Sequence, residues 1–247
     1  MSANSRGTIP AVEAEQAPRV AVIVAARNEA ERIGATLDAL GAAFAGARLW
    51  VADDASSDET AELALAHGAQ VISRGRPHGK GANVTAAAQA MLSEGPSDDH
   101  VVLLCDADLG ESAARLTPLV DAVTAADCDL AIAAFARRVG GGLGLAVGFA
   151  GWAIERRCGV RMRAPISGQR ALRAGALRAV LPFADGFGME TGMTIDAVRA
   201  GLDVREIELE LEHRATERTI GGFTHRGRQL RDIVRAYAAR RRPGGRG

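Results

Sequence analysis

Residues 19–26 (Arg-Val-Ala-Val-Ile-Val-Ala-Ala) are an unbroken, β-branched apolar run, the pattern of a parallel strand covered on both faces. From about Glu29 to Phe44 the apolar spacing lengthens, and Ile33, Leu37 and Leu40 fall on one stripe of an amphipathic helix. Arg48 to Ala52 reads as a second strand, ended by Asp53 and Asp54. Ser57 is expected to cap a helix running to about His67, with Thr60 close to the capping-box position. Gln70 to Ser73 makes a short third strand, and Gly81 to Leu92 an Ala-rich helix. Val101 to Cys105 is a fourth buried strand that ends at Asp106-Ala107-Asp108. Arg115 to Ala125 reads as a helix and Leu130 to Phe135 as a fifth strand.

Strands alternating with helices predict an α/β fold, a mainly parallel sheet flanked by helices through right-handed crossovers. Ligands on such sheets bind beyond the carboxyl ends of the strands. Three polar clusters sit there: Arg27-Asn28-Glu29, Asp53-Asp54 and Asp106-Ala107-Asp108. After Phe135 the pattern loosens into glycine-rich, apolar Gly140 to Gly151 and the basic stretch Arg156 to Arg163. Gln169 to Leu172 reads as a strand, Gly188 to Ala200 as a helix, Val204 to Leu211 as an edge strand and Arg226 to Arg242 as a basic helix. The expected organisation is a tail over 1–18, one domain over 19–242 and a tail over 243–247. Within the domain, 19–135 forms a ligand-binding half and 136–242 a half that shapes the second substrate's site.

Composition narrows the chemistry. The 247 residues carry zero formal net charge, so no global field draws the protein to nucleic acid. Cys105, Cys128 and Cys158 are odd in number and widely spaced, which suits a reducing, cytoplasmic setting. Met1 to Pro18 has no apolar signal-peptide core, and no apolar run approaches the ~20 residues of a membrane helix. Lys80 is the single lysine among 30 basic residues. Coding bias toward Arg is the bland explanation of a lone ammonium, and the functional one is a place where a broad guanidinium will not serve.

Asp106 and Asp108, one residue apart at a strand end, can join a divalent cation with oxygen ligands to a diphosphate. Such a metal stabilises charge on a departing phosphate; two solvated acids in a turn are the bland alternative. Asp53 or Asp54 can accept hydrogen bonds from a base or ribose, while Ser56, Ser57 or Asp58 cap the next helix. Lys80, in His78-Gly79-Lys80-Gly81, lies where a glycine loop enters a helix, able to touch a phosphate or to hold Asp106. Glu190 enters a helix and either complements its dipole or orients a hydroxyl. His213 is either structural or a neutral-imidazole metal ligand.

Taken together, these segments resemble the family 2 glycosyltransferases, which have a GT-A fold, over roughly residues 19 to 240. The resemblance implies a nucleotide site at Ala25, Arg27 and Glu29, a uridine or guanosine contact at Asp53 and Asp54, and a diphosphate site at Lys80 and Asp106. It implies Mg²⁺ or Mn²⁺ as cofactor and a UDP- or GDP-hexose donor, with Asp108, Glu190 and Lys80 as the catalytic residues. Ser167-Gly168-Gln169-Arg170 is similar to a segment of the polyprenyl-phosphate transferase branch. Gly186 to Asp196 and His213-Arg214 are more similar to the branch that glucosylates 3-phosphoglycerate, whose histidine helps to hold the metal beside Asp106 and Asp108.

Both branches imply a phosphate-bearing acceptor, here facing Arg163, Ser167, Gly168, Arg170 and Arg214. The chain departs from the family in lacking the Pro and Tyr of the usual opening segment. A homodimer, and peripheral contact of the basic C-terminal helix with the inner face of a membrane, are further expectations. The competing readings are a sugar-1-phosphate nucleotidyltransferase and a nucleotide-binding module without turnover.

Overall fold

A computed structural model describes residues 20–135, 144–209 and 220–240. The first half runs β1 (Val20–Ala26), α1 (Ile33–Ala43), β2 (Arg48–Asp53), α2 (Thr60–Ala66), β3 (Gln70–Ser73), α3 (Lys80–Ser93) and β4 (Val101–Asp106). A 3-10 segment over Ala107–Leu116, kinked at Gly110, leads into α4 (Thr117–Thr124) and β5 (Leu130–Phe135). The second half holds α5 (Gly144–Cys158), β6 (Arg170–Arg173), α6 (Ala174–Val180), a 3-10 turn at Gly186–Gly188, α7 (Met189–Arg199), β7 (Val204–Leu209) and α8 (Ile220–Ala239).

The described strands form one seven-stranded sheet in the order β3-β2-β1-β4-β6-β5-β7. β6 alone breaks the parallel arrangement, lying antiparallel to both β4 and β5. Its direction matters for function. The start of β6, not its end, lies at the carboxyl edge of the parallel strands, and Arg170 pairs with Leu104 of β4. Residues 167–169 therefore arrive beside Asp106.

Alternation along the strands feeds two cores. Val22, Val24, Val51 and Leu103 pack with Ile33, Leu37 and Leu40 of α1 and Leu119 and Val120 of α4. The opposite face gathers Ile23, Trp50, Leu104 and Ile132 with Val84, Ala88 and Met91 of α3, Leu177 of α6 and Met193 of α7.

Several boundaries differ from expectation. α1 begins at Ile33 rather than Glu29, because Asn28 adopts φ +55° and the chain turns before the helix starts. The expected Arg115–Ala125 helix is divided, and α4 starts with Pro118 in its first turn. α5 and α6 were not expected. α5 forms despite Gly144, Gly148 and Gly151 because Ala146, Ala150, Ala153 and Ile154 bury one face, and tertiary packing outweighs a weak local propensity. α8 begins at Ile220 rather than Arg226. β7 is the edge strand expected there, and residues 210 and 211 of that expectation lie outside the described residues. Among the described residues no helix is long and apolar enough to cross a membrane.

Candidate active site

The loops after β1 and β2 are laced together. The Asn28 N–H donates to Ser56 Oγ at 2.9 Å, and Asn28 Oδ1 accepts from the Ser57 N–H at 2.8 Å. The Glu29 N–H donates to Thr60 Oγ1 at 2.8 Å, and the Ala30 N–H to Asp58 Oδ2 at 3.2 Å. Ser57 is thereby tied to the neighbouring loop instead of capping α2, and of the expected capping residues it is Asp58 whose Oδ1 accepts from the Thr60 N–H at the helix start, at 3.2 Å. The polar run after β2 stitches two loops into one rim.

Asp53 and Asp54 are both buried, at 2% and 6% exposure. Asp54 accepts from the backbone N–H groups of His78 (2.7 Å) and Gly79 (3.0 Å), from Asn83 Nδ2, and from Arg27 at 3.2 Å. Asp53 accepts from the Ser56 N–H at 3.2 Å and from Ser73 Oγ at 3.0 Å. Both carboxylates, expected to offer one acceptor to a base or ribose, are engaged by their own chain. Asp54 pins the loop that carries Lys80 onto the end of β2.

Lys80 is the centre of the site. Its ammonium lies 2.6 Å from Asp106 Oδ1 and 2.8 Å from Glu190 Oε1. Burial alone would lower its pKa, but Asp106 and then Glu190 outweigh that and hold it above the ordinary lysine value. Glu190, in the first turn of α7, is 4% exposed. Gly81 packs so closely on the carbonyl of Ala184 that a side chain at 81 would collide with backbone, and Gly79 faces Gly186. Glycines on both turns let the Lys80 loop and the Glu190 turn meet.

Gly168 completes the pocket wall. A Cβ there would lie 2.5 Å from Asp106 Oδ2 and 2.6 Å from Lys80 Nζ. Next to it, Gln169 Nε2 donates to Asp106 Oδ2 at 2.9 Å. Ser167 Oγ lies 3.3 Å from Gln169 Oε1.

The Asp106–Asp108 turn is anchored from beneath by α1. Thr36 Oγ1 donates to the Ala107 carbonyl at 2.7 Å and accepts from the Gly110 N–H at 2.8 Å. Arg32 donates to the Asp108 carbonyl at 3.0 Å. Ala25 of β1 is in register with Asp106. The donor set suits a hard divalent cation, since two carboxylates share a fixed turn and both stay partly exposed to a ligand, about a third of the Asp106 side chain among them. Among the described residues no group of three or more His, Cys, Asp and Glu converges on one point. A cation at Asp106 and Asp108 would take its remaining ligands from beyond this pair. His213 and Arg214, expected as metal ligand and acceptor contact, lie outside the described residues.

Arg170 is a correction. It was expected to meet an acceptor, yet it is fully buried and donates to the Ser167 carbonyl (2.8 Å) and Thr194 Oγ1 (3.0 Å). Burial pushes its pKa down to about 10, against the pull of Glu190 and Glu206. Arg170 thus ties the 165–167 turn to α7 and meets no solvent. Arg163 is exposed and paired with Glu206 and Glu208 of the edge strand, at 3.6 and 3.4 Å. No described contact joins it to the Lys80–Asp106 pair.

Three residues escaped the sequence reading: Thr36, Asn83 and Gln169. Each is a buried polar side chain within an otherwise apolar helix stripe or strand entrance, and that break in pattern was the available signal.

The chain is similar to known proteins in sequence and fold. The family model described as Glycosyl transferase family 2 matches residues 21–148. Glucosyl-3-phosphoglycerate synthase of Mycolicibacterium paratuberculosis is 30% identical over 239 residues, covering 84% of this chain and 69% of that protein. The crystal structure of glucosyl-3-phosphoglycerate synthase from Mycobacterium tuberculosis with Mn²⁺, UDP-glucose and phosphoglyceric acid superposes with a TM-score of 0.72 at 27% identity, over 90% of this chain and 79% of that one. The same enzyme with Mn²⁺, UDP-glucose and glycerol 3-phosphate gives a TM-score of 0.70 at 27% identity, over 90% and 80%. The mostly parallel sheet with its flanking helices is the GT-A fold of these neighbours, and the chain belongs to glycosyl transferase family 2.

Proposed function

We propose that this protein is a metal-dependent hexosyltransferase that moves glucose from UDP-glucose to phosphoglycerate or a similarly small phosphate-bearing acceptor. The observation that carries the reading is the Lys80 ammonium held between Asp106 and Glu190 at the sheet mouth, with the glycine wall of Gly168 against it. The relatives that share this framework are named for that reaction or were crystallised with its substrates.

Each side chain then has a task. Asp106 and Asp108 hold Mn²⁺ or Mg²⁺, which when bound neutralises charge developing on the departing diphosphate. Lys80, protonated throughout the working pH range, presents a fixed positive charge where that diphosphate lies. Glu190, buried and already paired with Lys80, accepts a hydrogen bond from a sugar or acceptor hydroxyl and so orients it. Asp54 and Asn83 keep the Gly79–Gly81 loop closed over the site. A cytoplasmic setting belongs to this reading, by analogy with the relative.

The test is a donor panel of UDP- and GDP-hexoses with Mn²⁺ or Mg²⁺, run separately against 3-phosphoglycerate, glycerol 3-phosphate and polyprenyl phosphate in detergent. Transfer from UDP-glucose to a small phosphate acceptor is expected. Transfer confined to polyprenyl phosphate would move the acceptor assignment to the lipid branch. Pyrophosphate release from a nucleoside triphosphate and a sugar phosphate, with no glycosyl transfer, would overturn the reading.

A further inference from the structure

Asp106 is held from two sides by groups of different kinds. Lys80 takes Oδ1 at 2.6 Å and Gln169 takes Oδ2 at 2.9 Å. The Lys80 contact is an ion pair that a bound diphosphate can compete for, since an ammonium has three donors and pivots freely. The Gln169 contact is neutral and comes from a side chain that is 1% exposed. It has no freedom to follow a ligand.

The orientation of that amide is also set. Ser167, itself 4% exposed, places its hydroxyl 3.3 Å from Gln169 Oε1. A hydroxyl donating to Oε1 leaves Nε2 turned to Asp106, and the reversed amide would set two acceptor oxygens against each other. The backbone of Gln169 is fixed as well, since its carbonyl accepts from the Ala133 N–H of β5 at 3.0 Å. Antiparallel β6 makes this possible by delivering its first residues, not its last, to the ligand edge of the sheet.

We infer that Gln169 is a positioning residue: oriented by Ser167, it locks the Asp106 carboxylate so that this group meets the cation and the nucleotide diphosphate in a single pose. The inference rests on the proposed role of Asp106 at the metal. It also gives Ser167 work within the protein, turned toward the amide beside it. Outer partners of metal-ligating carboxylates characteristically change affinity or rate by about 10–100-fold when removed.

The experiment uses Gln169→Leu, nearly the same shape without the donor, and measures Mn²⁺ binding in the presence of UDP by the loss of the free Mn²⁺ paramagnetic resonance signal. Steady-state kinetics and thermal unfolding are recorded on the same samples. Mn²⁺ affinity is expected to fall by about 10–100-fold, kcat to fall with it, and the unfolding midpoint to change little. Ser167→Ala keeps the amide and loosens it, so its loss should run in the same direction and be several-fold smaller. Should Gln169→Leu fail to fold, Ser167→Ala decides: weakened Mn²⁺ binding upholds the inference and wild-type binding overturns it. Wild-type Mn²⁺ affinity and kcat in folded Gln169→Leu, or a loss of thermal stability alone, would also overturn it. Failure of the wild-type protein itself to bind Mn²⁺ with UDP would instead sink the proposed function.

Discussion

Two strand ends of this molecule carry neighbouring acids and use them in opposite ways. At the end of β2, Asp53 and Asp54 are sealed in and their oxygens are taken by loop N–H groups, serines and Asn83. At the end of β4, the Asp106 side chain keeps about a third of its surface open and faces a cation and an amide. The same residue type in the same topological position is a structural clasp in one loop and a presented charge in the other. The partner decides which. Backbone N–H groups are obligatory donors that must be satisfied when buried, whereas Lys80 can exchange a carboxylate for a phosphate.

Substitutions at the two ends should therefore fail differently. Asp108→Ala is expected to lower transfer on the order of 10³-fold, the scale of losing charge stabilisation at a departing group, while the unfolding midpoint holds. Steady-state rates beside a calorimetric scan check this, and substantial activity without any divalent cation would count against it. Lys80→Arg comes next, at about 100-fold in kcat/KM, because a planar guanidinium cannot fit between Asp106 and Glu190 without moving both. Near wild-type kinetics would leave coding bias as the only account of the lone lysine.

Gly168→Ala should lose a similar or smaller factor, since its methyl would press on Asp106 Oδ2 and Lys80 Nζ together. Unchanged Mn²⁺ affinity and rate would show that the wall is softer than described. At the other end, Asp54→Ala should first be a stability mutant. It strands the part-buried N–H groups of His78 and Gly79 and the buried amide of Asn83, costs about 3 kcal/mol and lowers the midpoint by roughly 10 °C. Activity lost in Asp54→Ala with no loss of stability would erase the contrast between the two ends.

The smallest effect is a flat one. Lys80 has its folded pKa raised by Asp106 and Glu190, against burial. Its stabilising contribution is thus fully present below the unfolded lysine value of ~10.4 and is lost only as pH rises through the higher folded value. Between pH 6 and 9 the activity profile should show no inflection from Lys80.

Much of the first half was legible because its strands are β-branched runs and its acids stop them. Which acid would be presented was not, because the donors that engage Asp54 come from a loop more than twenty residues further on. Arg170 misled for a related reason. A basic residue after Ser-Gly suggests an anion, but the register of β6 against β4 carries its side chain into the interior. α5 was hidden by its glycines, and its face of small buried alanines becomes visible only against α7 and α8. Gln169 lay unremarked inside a quoted segment, since nothing local announces that β6 runs backwards.

The β4 acids are expected to bring a cation and a diphosphate into one pocket. Calorimetric titration of UDP into wild-type protein and Asp108→Ala, with and without Mn²⁺, measures that directly. Mn²⁺ should tighten UDP binding at least ~10-fold in the wild type and leave the variant unchanged. Equal UDP affinity in the wild type with and without Mn²⁺ would contradict it.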